Sequence, residues 1–145
     1  MKKVFMLLSM VLMINIALTQ TSFKANENLL ASLTTETSLI IDGVEWKAID
    51  QDLGKIEHNK PFEVKFELTN RNATALVLKE VKPSCGCTGT DYTKAPILSG
   101  ESTTITATYN AKAKGAFQKT VKVITNMSEK PLVLEFKGDV VETKA

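Results

Sequence analysis

The chain has 145 residues, 43% of them hydrophobic, with 18 basic and 16 acidic side chains and a formal charge of +2. Three of its lysines, Lys2, Lys3 and Lys24, fall in the first 25 residues, where there is no acid, and setting them aside takes the charge from +2 to −1, so nothing points to a nucleic acid partner. Beyond residue 25 there remain Met127, His58, Cys85 and Cys87, which excludes a methionine-rich or histidine-rich metal site and leaves about 120 residues, enough for one domain with one core.

Lys2 and Lys3 precede "VFMLLSMVLMINIAL", an apolar run of 15 residues, and then the polar stretch "TQTSFKANEN". That order of basic, apolar and polar segments is the order of a secretory signal peptide, assigned here to residues 1–25. An uncleaved membrane anchor is the weaker alternative, because a span normally needs about 20 apolar residues. No cysteine lies near the end of the run, so the expectation is an exported protein, periplasmic or secreted, that is not a lipoprotein and meets the membrane only transiently. Residues 26–45 read as a polar lead-in with a weak first strand at 38–41, and a second weak strand is expected at 44–50.

The clearest element follows at "PFEVKFELT", where Phe62, Val64, Phe66 and Leu68 alternate with Glu63, Lys65, Glu67 and Thr69. A period of two is the mark of a strand with one buried face. "ALVLKEVK" (75–82), "STTITATYN" (102–110), "FQKTVKVIT" (117–125) and "PLVLEFKGDVV" (131–141) are rich in β-branched and aromatic residues and read as further strands. Between them "NRNA", "LSGE", "NAKAKG" and "NMSEKP" supply turn formers. No sustained helical period appears after residue 25, and strands without helices favour antiparallel pairing. The expected fold is an all-β, immunoglobulin-like antiparallel sandwich of about seven strands over 46–141, with a tail at 142–145. Phe62, Val64, Phe66, Leu68, Val121, Val123, Leu132, Leu134 and Phe136 supply its inward faces, and Trp46 is a core or sheet-edge residue.

Motifs for catalysis are missing. There is no G-x-S-x-G, H-E-x-x-H, phosphate loop or G-x-G-x-x-G. His58 falls in the polar loop "KIEHNKP", where a solvated histidine is the simple reading. Asp50 and Asp52 in "IDQDLG" share one side of an extended segment, as acids that bind backbone or water do, and alone they offer too few oxygens for calcium.

The stretch from "DLGKIEHNKPFEVKFELTN" through "VKPSCGCT", "APILSGE" and "GAFQKTVKVITN" to "GDVV" resembles the bacterial family catalogued as domain of unknown function 1573. The resemblance runs from about Trp46 to Val141 and rests on Gly54, on Phe66 and Asn70, on the cysteine turn, and on Pro96, Ile97 and Gly100. It implies an immunoglobulin-like sandwich of the major sperm protein and hydin type, common in secreted proteins of Bacteroidetes, with no activity attached. One departure is Leu53, where the family usually has an aromatic residue before the glycine. Leu53 can fill the same core position.

Cys85 and Cys87 lie in the turn Pro83-Ser84-Cys85-Gly86-Cys87-Thr88. In an extended chain residues i and i+2 point the same way with α-carbons about 6.6 Å apart, at the edge of the roughly 4.4 to 6.8 Å that disulfides span. Gly86 supplies the bend that shortens the gap. Three readings stay open. The pair is a local disulfide or thiol pair that shapes the turn; or two thiolates that hold Cu(I), or zinc with further ligands; or a dithiol that exchanges with partner disulfides, helped by Lys82 and Lys94 nearby in sequence. The leading expectation is a non-enzymatic binding or scaffolding module without cofactor, offering an exposed edge strand to a protein partner.

Overall fold

The structure, a computed structural model, describes residues 38–142; the expected signal peptide, residues 26–37 of the lead-in and residues 143–145 of the tail lie outside the described residues. Nine strands follow in order: β1 (Leu39–Ile41), β2 (Val44–Trp46), β3 (Asp50–Glu57), β4 (Phe62–Asn70), β5 (Leu78–Pro83), β6 (Thr88–Asp91), β7 (Ser102–Tyr109), β8 (Gly115–Thr125) and β9 (Leu132–Val141). They form a five-stranded sheet in the order β1-β2-β4-β7-β6 and a four-stranded sheet in the order β3-β9-β8-β5.

The alternation seen in the sequence decides the faces. Val64, Phe66 and Leu68 of β4 are buried, as are Ile105, Ala107 and Tyr109 of β7, Val121 and Val123 of β8, and Leu134, Phe136 and Val140 of β9. The intervening residues of β4, Glu63, Lys65 and Glu67, are exposed. Trp46 is only 1% exposed and belongs to the core, and Val44 beside it is buried too. The five-stranded sheet therefore begins at Leu39, ahead of the boundary expected at 46.

Four expectations are corrected. There are nine strands rather than about seven, because β3 and β6 carry almost no apolar signal. Only Ile56 is buried in β3 and only Thr88 in β6. One pair is parallel: β3 lies beside β9, with Asp50 opposite Glu135 and Glu57 opposite Val141. No local crossover is needed there, since the partners are separated by the whole length of the sandwich. Phe62 is 39% exposed rather than inward, because it sits at the mouth of the core where the strand begins. Finally, β5 starts at Leu78 instead of residue 75; Leu76 makes only an isolated bridge to Ile97, and the register shifts between Leu78 and Glu80.

In β3 the register shifts between Asp52 and Lys55, where Gly54 takes φ +60° and its N–H donates to Asp52 Oδ1 at 2.9 Å. The shift lets Leu53 and Ile56, an odd spacing apart, both pack on the core. Leu53 thus occupies the core position expected of it. Asn126 pins the loop before β5 by donating to Ala75 O at 2.9 Å and accepting from Val77 N–H at 2.8 Å.

The Cys85–Cys87 turn as candidate functional site

Residues 84–87 carry the chain from the edge of one sheet to the edge of the other. β5 ends with Pro83 opposite Val121. Ser84 N–H then donates to Thr120 O at 2.9 Å, and Ser84 Oγ accepts from Thr120 N–H at 3.2 Å. On the far side Asn110 N–H donates to Cys87 O at 3.0 Å, and β6 opens with Thr88 opposite Tyr109. Thr88 N–H donates to Cys85 O at 3.3 Å, closing the turn on itself. Both sheets therefore hold the turn by main-chain bonds that do not involve the sulfurs.

Within this frame the Cys85 and Cys87 sulfurs are bonded, with α-carbons 5.2 Å apart. Gly86 at the tip is exposed, and a β-carbon there would meet nothing within 4 Å. The two cysteines are half-buried, Cys87 packing against the core. Thr88 is 4% exposed, and its hydroxyl lies 3.8 Å from Cys85 Sγ and 4.0 Å from Cys87 Sγ. Tyr109, across the ladder from Thr88, stacks on Phe117 at 4.5 Å between ring centroids, and Lys119 Nζ sits 5.9 Å from the Tyr109 ring. Among the described residues no three histidine, cysteine or acidic side chains come together as a metal shell.

The other sequence candidates lie elsewhere. His58 is in the turn between β3 and β4, with Nε2 3.2 Å from Lys112 O. Asp50 and Asp52 are in strand β3; Asp50 Oδ2 lies 3.9 Å from Lys137 Nζ, and Asp52 binds the backbone at Gly54. A charged cluster not singled out in the sequence decorates the outer face of the five-stranded sheet. Ser38 Oγ donates to Glu45 Oε1 at 2.8 Å, and Arg71 donates to Glu45 Oε2 through both Nε and Nη2 at 2.6 Å. The Ser38 hydroxyl first, then Arg71, hold the Glu45 carboxyl below its ordinary range. Lys114 does the same for Glu142 at the C-terminal edge. These contacts arise from cross-strand placement, which periodicity alone does not reveal.

Two sheets of this connectivity, joined through an edge-to-edge turn, define an immunoglobulin-like β-sandwich. The chain belongs to the family described as "Protein of unknown function (DUF1573)", whose profile matches residues 44–140. Among solved structures it is similar to a protein of unknown function from Porphyromonas gingivalis W83, with 16% identity and a TM-score of 0.59 over 67% of this chain and 46% of that one. It is similar to the VesB protease of Vibrio cholerae at 18% identity and a TM-score of 0.58, over 68% of this chain and 32% of the protease. The ASH/PapD-like domain 7 of human CEP192 matches at 14% identity and a TM-score of 0.56, over 77% of this chain and 94% of that domain. The chain thus spans less than half of the two bacterial proteins, and at these identities the likeness is one of fold. No curated protein matches the sequence.

Proposed function

We propose that the chain works outside the cytoplasm as a non-enzymatic binding or scaffolding module that takes up an extended segment of a protein partner beside β4. The observation that carries this reading is the uncovered half of that strand. Asn70 exchanges main-chain bonds with Glu101 and Gly100 on the β7 side, so the even-numbered residues of β4 face β7 and the odd-numbered ones face β2. β2 ends at Trp46, opposite Leu68, and the last main-chain bond across this edge runs from Lys47 N–H to Glu67 O at 3.1 Å. Past that point Gln51 Nε2 reaches Lys65 O at 2.8 Å, and no strand among the described residues lies beside Glu63 and Lys65. An uncovered ladder is a template for an added strand. On the opposite flank Thr90 Oγ1 of β6 donates across to Val81 O of β5 at 3.4 Å.

The test is capture of envelope proteins by the mature chain beside two variants. Lys65→Pro removes an outward N–H without touching the β7 ladder, as edge positions allow. The expected result is loss of the captured partner in Lys65→Pro, its retention when both cysteines become serine, and slowed exchange of the Glu63 and Lys65 amides when it is bound. A partner held equally by a folded Lys65→Pro variant would end this reading.

A further inference from the structure

We infer that Cys85 and Cys87 form a dithiol–disulfide exchange site, with the Thr88 hydroxyl serving as donor to the thiolate released when the bond opens. The inference stands apart from the strand-binding reading, since the turn and the uncovered edge of β4 are different surfaces.

A crosslink between residues two apart does little for the fold. It closes so short a loop that it removes far less freedom from the unfolded chain than a long-range bond. The turn is also held without it, by the bonds of Ser84 with Thr120, of Thr88 with Cys85 O and of Asn110 with Cys87 O. Opening the bond therefore leaves the backbone in place. At the same time the approach is clear, because Gly86 is exposed with open space around it.

The two sulfurs differ. Cys87 packs on the core, so Cys85 is the outer sulfur and the point of attack. A thiolate of a partner dithiol attacks Cys85 Sγ, forms a mixed disulfide and displaces Cys87 as thiolate. The second thiol of the partner, once deprotonated, attacks its own sulfur in the mixed disulfide and releases Cys85. The partner leaves oxidised to its disulfide, and Cys85 and Cys87 have gained two electrons and, on protonation, two protons. A leaving thiol of lowered pKa departs faster, and a hydrogen bond to the thiolate lowers it. Thr88 is placed for this: its hydroxyl is buried beside both sulfurs and bonds to nothing else among the described residues. Serine and threonine hydroxyls rotate freely enough to turn the proton toward either sulfur.

The experiment follows reduction of the full mature chain by reduced glutathione, quenched by alkylation and read by intact mass, for wild type, Thr88→Val and Thr88→Ser. Thr88→Val is expected to slow native reduction about tenfold. Thr88→Ser should stay near wild type, and all three should react alike in denaturant. Equal native rates, or a native wild-type bond that opens no faster than the denatured one, would overturn the inference. Should Thr88→Val fail to fold, the pH profile of iodoacetamide reaction with reduced wild type decides: a Cys87 midpoint clearly below about 8.5 supports the assignment and one at or above it refutes it. The point of attack is read from the mixed disulfide trapped by alkylation early in the reduction of the wild type. Peptide mass mapping should place glutathione on Cys85 and the alkyl group on Cys87, and the reverse placement would refute it.

Discussion

The side-chain amide of Asn70 donates to the carbonyl of Ile97, 27 residues along the chain, at 2.9 Å, and to Thr74 O at the same distance. Its Oδ1 accepts from Asn72 N–H at 2.9 Å, so a residue with no exposed surface has its polar atoms matched. One side chain thereby fixes the loop after β4 and the segment before β7.

Replacing Asn70 by Leu is expected to cost about 1 to 3 kcal/mol, since Thr74 O and Asn72 N–H lose their partner and Ile97 O keeps only the N–H of Leu76. Asn70→Asp should be harmful in a pH-dependent way. A carboxylate facing two carbonyls is raised in pKa, so the variant should be closest to wild type at acid pH and lose stability as pH rises through that raised value. Urea melts at pH 4 and pH 7 measure both effects; an Asn70→Asp deficit equal at the two pH values would contradict the account.

Phe66→Ala should lose about 3 to 5 kcal/mol, through lost transfer energy and the cavity left behind, whereas Lys65→Ala, one residue away on the exposed face, should lose far less. Comparable losses in denaturant unfolding would mean the face of β4 is misassigned.

These two residues also show how much was legible in the sequence. Phe66 could be placed from alternation alone, because each neighbour of like parity is apolar. Asn70 continues the same parity one step further, at 62, 64, 66, 68 and 70, and a polar residue on a buried phase signals a satisfied interior group. Its partners were beyond reach, since Thr74 and Ile97 come together only through the register of the sheet. β3 and β6 left little trace because an edge strand buries few side chains, and "TGTD" has no apolar residue at all. The cysteine turn was locatable from spacing, while the hydroxyl of Thr88 beside both sulfurs required the crossing between sheets.

Gly138 in β9 lies under the bulge of β3, where a β-carbon would come within 2.7 Å of Gly54 O and 3.0 Å of the Phe117 ring. Gly138→Ala should destabilise the domain by about 1 to 3 kcal/mol by overpacking. Gly54→Ala has open space but a left-handed backbone, and should cost about 1 to 2 kcal/mol. Thermal melts of both, with no loss for either, would show that β3 yields freely.

Glu45 should titrate below the ordinary glutamate range, and Arg71→Ala together with Ser38→Ala should bring it back to that range. Because the folded-state pKa is depressed, the interaction helps above the unfolded-state pKa and is lost as pH falls through the folded value. Carboxyl chemical shifts followed by pH titration give the answer directly, and a wild-type Glu45 titrating in the ordinary range would contradict it.

Reduction of Cys85–Cys87 should lower the unfolding free energy by less than about 2 kcal/mol, the ceiling that chain entropy sets for so short a loop. Denaturant melts with and without reductant measure it. A domain that unfolds on reduction would show the crosslink to be structural.

The parallel pairing of β3 with β9 bears on how the domain carries load. Leu39 and Val141 lie near the two ends of the described chain, and β3 and β9 run side by side in the same direction from Asp50 and Glu135 to Glu57 and Val141. Tension applied to the ends first peels the short β1 and β2 pairings one residue at a time. It then draws β3 and β9 in opposite senses along their common axis, so their bonds resist together in shear instead of unzipping singly. An antiparallel closing pair would open like a hairpin under the same pull. Under such a pull the bonds between Asp50–Glu57 and Glu135–Val141 are expected to set the force at which the sandwich opens.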